Sequence, residues 1–305
     1  MDLYKLNNAR LEEVKNIPFE LEKDIQILIE KNIQILFGLQ FVKTELKLNG
    51  LRIDTLGFDQ QSKSFVIIEY KKNKSYSVID QGYSYLSLLI NNKADFILEY
   101  QENTNKPLKK GDVDWSQSRV IFVSPQFTTY QKQSIEFKDL PFELWEIKRY
   151  SNDTIILNQH KSTSQESIKT IGTVDNKVEQ VSNEIIVYNE EDHIAKGSDQ
   201  IQELYLILKE RLFEIYEFEV KPVKLWINFK KDKNQVLDVD IKRNSLKIHL
   251  NLKKGELDDP KRMFKDVTNI GHWGAGDYQT SFSPNDDLDY LMSLIRQTYK
   301  LRSLQ

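Results

Sequence analysis

The stretch from Leu51 to Lys71 limits the fold of this chain more than any other. It holds two β-like runs, Leu51–Phe58 and Phe65–Lys71, joined by the polar turn Asp59-Gln60-Gln61-Ser62-Lys63-Ser64. The second run opens with four consecutive apolar residues, Phe65-Val66-Ile67-Ile68, and so reads as a buried strand rather than a half-solvated one. That strand then runs into Glu69. Burying an unpaired carboxylate costs several kcal/mol or forces its protonation, so a compensating group is expected nearby. Period-two geometry puts Lys71 on the same strand face as Glu69, and the preceding strand can bring Asp54 beside them.

Two carboxylates and an ammonium in one place admit two readings. The first is a structural ion pair, and the acid-x-base triplet alone favours it, since about six such triplets arise by chance in this composition. The second is chemical. Hard oxygens from Asp54 and Glu69, with the Tyr70 carbonyl between them in sequence, suit Mg²⁺ or Mn²⁺. Lys71 would then orient water and steady charge on a phosphate. Composition leaves little room for other metals: the 305 residues include no cysteine and only four scattered histidines, so any metal is expected on oxygen ligands.

The whole chain carries 43 basic and 46 acidic residues, and their distribution is informative. Residues 1–150 hold 21 of each, residues 151–198 hold 4 basic and 8 acidic, and residues 199–305 hold 18 and 17. The balance argues against a protein that coats nucleic acid by bulk charge, although a local basic strip remains compatible. The acidic middle is rich in Ser, Thr, Asn, Gln and Glu with a weak apolar pattern, and reads as a linker or loosely docked connection over 160–197. The expected division is therefore a domain over 1–159, that linker, and a second domain over 198–305. No apolar stretch reaches the roughly 20 residues of a membrane span, and Met-Asp-Leu-Tyr-Lys-Leu lacks the pattern of a signal peptide, so a cytoplasmic protein without membrane association is expected.

In the first domain the pattern predicts a hairpin around Asn7-Asn8, a helix over Phe19–Phe37, and strands at Phe41–Leu48, Leu51–Phe58 and Phe65–Lys71. A second helix follows at Ser77–Ile90, then strands at Asp95–Tyr100 and Arg119–Ser124, a helix over Gln126–Phe137 and a strand at Phe142–Lys148. This is an α/β lobe, a central mixed sheet flanked by helices. The second domain reads as α+β. It has a helix over Asp199–Tyr216, a strand at Val223–Phe229, and a hairpin of Val236–Lys242 with Leu246–Leu252. Alternation in the hairpin puts Leu237, Val239, Ile241, Leu246, Ile248, Leu250 and Leu252 on a core face and Asp238, Asp240, Lys242, Lys247, His249, Asn251 and Lys253 on a wet one. A Gly-rich turn over 271–277 and a final helix over Asp286–Leu301 complete it.

Several segments together resemble the PD-(D/E)XK nuclease superfamily, and within it the catalytic domain of NucS-type endonucleases. They are "LEKDIQILIEKN" with Glu22, "LRIDTLGFD" with Asp54, "FVIIEYKK" with Glu69 and Lys71, and "VIDQGYSYL" with Gln81, in the family's order and approximate spacing. Ile53 stands where the family name has proline, a position that supplies no ligand. The resemblance spans about Phe19–Lys148 and implies a restriction-endonuclease-like fold and metal-dependent hydrolysis of DNA phosphodiesters, in defence or repair. It makes Asp54, Glu69 and the Tyr70 carbonyl the metal site, Lys71 the water-positioning group, and Glu22 and Gln81 accessory catalytic residues. Glu22 is preferred to Glu30 on spacing. Lys72, Lys74 and Tyr85 become candidate substrate contacts, with core packing the favoured reading for Tyr83, Tyr85 and Phe96. The alternative is a non-catalytic nucleic-acid-binding or partner-docking module on the same fold.

The second lobe, through "LNLKKGELDDP", "DVTNIGHWGAGDY" and "DDLDYLMSLIRQTY", resembles a small domain of unknown function that recurs behind nuclease-like lobes. His272, Trp273 and Arg296 are its candidate contacts, set against a plain turn packed by an aromatic residue. DNA is the expected partner, and a homodimer is compatible with the sequence.

Overall fold

A computed structural model describes residues 2–72, 78–137, 139–162, 164, 166, 176–232, 234–269 and 276–303. They form two compact units, Met1–Val187 and Tyr188–Gln305.

The first unit begins with the hairpin β1 (Leu3–Asn7) and β2 (Arg10–Val14), which turns at Asn8-Ala9, both at positive φ, one residue later than the sequence suggests. After the short β3 (Asn16–Ile17) comes helix α1 (Glu22–Phe37), with Glu22 and Asp24 in its first turn, where the helix dipole favours acids. Gly38 ends α1 at φ 68°, its N–H on the Gln34 carbonyl at 2.9 Å. Strands β4 (Gln40–Leu48) and β5 (Leu51–Asp59) form a hairpin whose turn, Asn49-Gly50, has positive φ at both residues, the requirement of a tight two-residue connection. Next are β6 (Ser64–Tyr70), α2 (Val78–Asn91), α3 (Lys93–Thr104), β7 (Arg119–Ser124), α4 (Thr129–Ser134), β8 (Phe142–Tyr150), β9 (Ile155–His160) and α5 (Asn176–Glu184).

The sheet is mixed and seven-stranded, ordered β3-β8-β7-β6-β5-β4 with β9 on β8. β6, β7 and β8 run parallel and their neighbours antiparallel. Val66 and Ile68 of β6 pack with Ile25, Ile29 and Ile33 of α1, while Phe65 and Ile67 pack with Leu86, Leu89 and Phe96 of α2 and α3. Cover on both faces explains the unbroken apolar run. One helix lies very close to the sheet: a Cβ on Gly82 of α2 would stand 2.5 Å from the Phe142 ring, which is itself held edge-on by Tyr83 and Phe122.

Two expectations fail in this unit. Asp95–Tyr100 belongs to α3, not to a strand, because the buried pair Phe96 and Tyr100 sits at helical spacing while Leu98 is exposed. The stretch read as a linker contains α5, packed on α2, with Val181 and the following Ile185 in the same core cluster as Leu86. Two apolar anchors in a polar segment are too sparse to show as periodicity.

The second unit comprises α6 (Glu190–Ile194), α7 (Asp199–Ile215), β10 (Glu219–Pro222), β11 (Ile227–Lys231), β12 (Asn234–Ile241), β13 (Leu246–Leu250), β14 (Lys265–Asp266), β15 (Tyr278–Phe282) and α8 (Leu288–Ser303). Its antiparallel sheet is ordered β10-β11-β12-β13-β15-β14. The core face, Leu237, Val239, Ile241, Leu246, Ile248 and Leu250, packs with Leu204, Leu208 and Leu212 of α7 and Leu291 and Ile295 of α8. The expected strand Val223–Phe229 is instead interrupted: β10 ends at Pro222, and Val223 closes a turn onto the Trp226 carbonyl at 2.9 Å. The face expected to be wet is covered at its centre, since Asp238 and His249 are buried, at 0% and 3% exposure, while Lys242 and Lys253 at its ends are exposed. Among the described residues, no helix is long and apolar enough to cross a membrane.

Candidate active site

The β5–β6 ladder ends at Thr55 opposite Ile68, so the next residues of each strand, Asp54 and Glu69, stand where the two strands part. The backbone N–H of Tyr70 donates to Asp54 Oδ2 at 3.2 Å, a side chain thus taking the place of a ladder bond. Glu69 is 5% exposed and Lys71 9%. The predicted compensation is present in three parts. Lys71 Nζ lies 2.7 Å from Glu69 Oε1, Gln81 Nε2 donates to the same oxygen at 2.8 Å, and the Tyr85 hydroxyl donates to Oε2 at 2.8 Å. Gln81 and Tyr85 are one turn apart on α2 and are themselves bonded at 2.9 Å, so the helix presents them as a pair.

Asp54 is the electrostatically unsettled member. Burial, and then the charge of Glu69, push its carboxyl up to about 6, against the opposing pull of the Tyr70 N–H, Arg52 and Lys71. A second positive charge between the two acids would relieve that strain. Among the described residues no cluster of three or more His, Asp or Glu side chains is set to hold an ion. A cation here would rest on two carboxylates plus a carbonyl, water or phosphate oxygens, which is the donor set Mg²⁺ and Mn²⁺ accept. Carboxylate oxygens have lone pairs beyond those used by Lys71, Gln81 and Tyr85, so the residues present fit such an ion.

The other predicted residues distribute unevenly. Glu22 is exposed at the start of α1, and its Oε1 accepts the Lys72 N–H at 2.7 Å, which anchors the chain leaving β6. Lys72 is exposed and its Nζ meets the Glu20 carbonyl. The ring of Tyr85 is 4% exposed and faces Glu69, so its hydroxyl serves the carboxylate and its ring offers no surface for substrate stacking. Tyr83 and Phe96 are core, as expected. The side chain of Tyr70 is buried and its hydroxyl meets Thr55 Oγ1 at 3.0 Å, leaving the main-chain carbonyl as its contribution to any ion. Arg296 is exposed on α8. Lys74, His272 and Trp273 lie outside the described residues.

Two participants escaped the sequence reading. Gln26 of α1, 5% exposed, donates through Nε2 to the Asp54 carbonyl at 2.9 Å and to Glu30 Oε1 at 2.9 Å, and Glu30 also accepts from Thr55 at 2.6 Å. A polar residue beside Ile25 on a buried helical stripe was the available signal. Arg52, two residues before Asp54, places its guanidinium 3.8 Å from Asp54 Oδ1. Its signal was the period of two.

A family model described as a domain of unknown function, DUF5655, matches residues 190–302. Among solved structures, a repair endonuclease from Pyrococcus abyssi is 19% identical, with 40% of this chain and 45% of that one covered and a TM-score of 0.24. EndoMS in its apo form is 21% identical, covering 45% and 60% with a TM-score of 0.26, and an EndoMS–dsDNA complex is 19% identical, covering 48% and 64% with 0.25. This chain therefore spans less than two thirds of each, and scores of this size decide nothing about the first unit. An uncharacterized protein of Haemophilus influenzae (strain ATCC 51907 / DSM 11121 / KW20 / Rd) is 47% identical over 302 residues, 98% of this chain and 100% of that protein. With identity of that level along both chains, this protein belongs to the same family as the Haemophilus influenzae protein, with a DUF5655 domain as its second unit.

Proposed function

We propose that the first unit is a metal-dependent nuclease of the PD-(D/E)XK type that hydrolyses DNA phosphodiester bonds. The observation that carries this reading is the meeting of Asp54, Glu69 and Lys71 where β5 and β6 part, with Asp54 pushed up to about 6. A purely structural ion pair needs one acid for one base; here a second acid is held beside the pair at a cost in ionisation. Asp54, Glu69 and the Tyr70 carbonyl would hold Mg²⁺ or Mn²⁺, which when bound supplies positive charge to phosphate oxygens and makes water more acidic.

The chain's own groups have separate tasks. Gln81 and Tyr85 fix the Glu69 carboxylate in one rotamer, so that it is preorganised rather than recruited. Lys71, tethered by Glu69, keeps a cation where charge builds on the phosphate. Gln26 pins the Asp54 backbone from the other side of the sheet. The second unit is assigned substrate or partner recognition.

The test is a nuclease assay of the full chain on single-stranded, duplex, branched and mismatched DNA with Mn²⁺ or Mg²⁺, beside Asp54→Asn and Glu69→Gln. Cleavage that needs the metal, stops with EDTA and is lost in both variants supports the proposal. Intact DNA across the panel at high enzyme, together with no Mn²⁺ binding by calorimetry, overturns it; salt-dependent DNA binding under those conditions would mark a non-catalytic module.

A further inference from the structure

The tip of the β4–β5 hairpin extends beyond the last β5–β6 pair and carries two cations directly opposite each other, Lys47 and Arg52. Like charges paired across strands destabilise a hairpin unless something negative lies between them. The nearby acids offset that only in part, since the Glu45 carboxylate, which feels Lys23 first and then Arg52 and Lys47, is shared among the three. Glu45 is engaged by Lys23 at 2.5 Å, and Asp54 reaches Arg52 only at 3.8 Å while accepting from Tyr70. The Arg52 side chain is 59% exposed and Lys47 is exposed, with no ion pair for Lys47 among the described residues.

The arm is nevertheless fixed. The Tyr85 hydroxyl, whose single proton goes to Glu69 Oε2 at 2.8 Å, lies 3.0 Å from the Arg52 carbonyl, and the β4–β5 ladder holds the base of the arm. At the turn, Asn49 Nδ2 donates to Asn92 Oδ1 at 2.8 Å. The result is an exposed guanidinium fork beside Asp54, with the Lys47 ammonium held in register across from it. A phosphate is the anion whose geometry an arginine fork matches.

We propose that Arg52 and Lys47 form a phosphate-contact site that receives the sugar–phosphate backbone next to the bond being cut. This rests on the nuclease reading of Asp54 and Glu69. The site sets where the strand lies, so its loss weakens binding more than turnover.

The experiment is fluorescence anisotropy of the full chain with labelled duplex and single-stranded DNA in EDTA, titrated with salt, for wild type, Arg52→Gln, Lys47→Gln and the double variant. Lys106→Gln, in the loop after α3, is the control. Each single substitution should lower the slope of log K against log[salt] on duplex by about 0.9, and the double by about 1.8, with melting unchanged or raised as the cross-strand repulsion is relieved. With Mn²⁺ present, KM should rise more than kcat falls, and Arg52→Lys should restore the slope. A double variant with the slope and KM of wild type overturns the phosphate site and leaves the nuclease reading standing. A wild-type chain that neither binds nor cuts DNA removes both.

Discussion

Glu69 in the first unit and Asp238 in the second are both acids that a sheet buries, at 5% and 0% exposure, yet their surroundings differ. Asp238 Oδ1 accepts from the amides of Asn228, at 2.9 Å, and Gln235. Glu69 accepts from an ammonium, an amide and a phenol, and has a second acid beside it. Amide donors from the adjacent β11 and from β12 itself tie this carboxylate into the architecture. An ammonium and a rival carboxylate make an arrangement that a further positive charge would change. On the proposed nuclease reading, the contrast separates a buried acid that holds a sheet together from one poised for chemistry.

The largest effect should come from breaking the architectural case. Asp238→Ala leaves the Asn228 and Gln235 amides without this acceptor inside the sheet, and at 1–3 kcal/mol for each stranded donor the cost is roughly 4 kcal/mol. Urea denaturation of the full chain should show that loss, with metal-dependent cleavage per folded molecule unchanged. A small loss of stability would mean that Asp238 is no more architectural than Glu69.

Asp54 sharpens the other side. Its carboxyl titrates at about 6 in the folded chain against about 3.8 otherwise, so the folded state binds the proton more tightly and stability falls as pH rises from 4 to 6. Above pH 6 the full penalty applies, of the order of 3 kcal/mol at most. Asp54→Asn should therefore be more stable than wild type at pH 8 in EDTA, and this advantage should vanish near pH 4. Mn²⁺ should stabilise wild type but not the variant. An Asn variant that is equally stable at every pH would show that Asp54 carries no strain.

The smallest change in free energy is expected at Lys71. Lys71→Ala removes a charge but leaves Gln81 and Tyr85 on Glu69, so the acid is not stranded and folding should survive. Cleavage should fall on the order of 10²-fold or more, about 2.7 kcal/mol of barrier, with Mn²⁺ binding retained. A variant that melts far earlier yet cuts normally per folded molecule would put Glu69 in the same class as Asp238.

What sequence could reveal follows from what each pattern encodes. The helix period located α1, α2, α7 and α8, because each buries one stripe. Glu69 was legible because it broke an apolar run, and Asp54 because the turn between β5 and β6 fixed which residues face each other. Asp238 and His249 were misread as solvated: alternation tells which side chains share a face, not whether that face is covered. Asn228 and Gln235, the amides that satisfy Asp238, look like ordinary strand-end residues until the register aligns them. Tyr85 stayed open between core and substrate because aromatic residues near a basic cluster look alike whether the ring points outward or the hydroxyl points inward.

Gly82 gives the site a dependence on a residue that contributes no functional group. Because the Phe142 ring fills the space where a Cβ would be, α2 rests directly on the sheet, and that stand-off decides whether Gln81 and Tyr85 reach Glu69. The usable variation at position 82 is thus set by the reach of its neighbours' side chains rather than by helix propensity. A survey that substitutes only charged and polar residues would pass over the position that sets the height of the whole constellation.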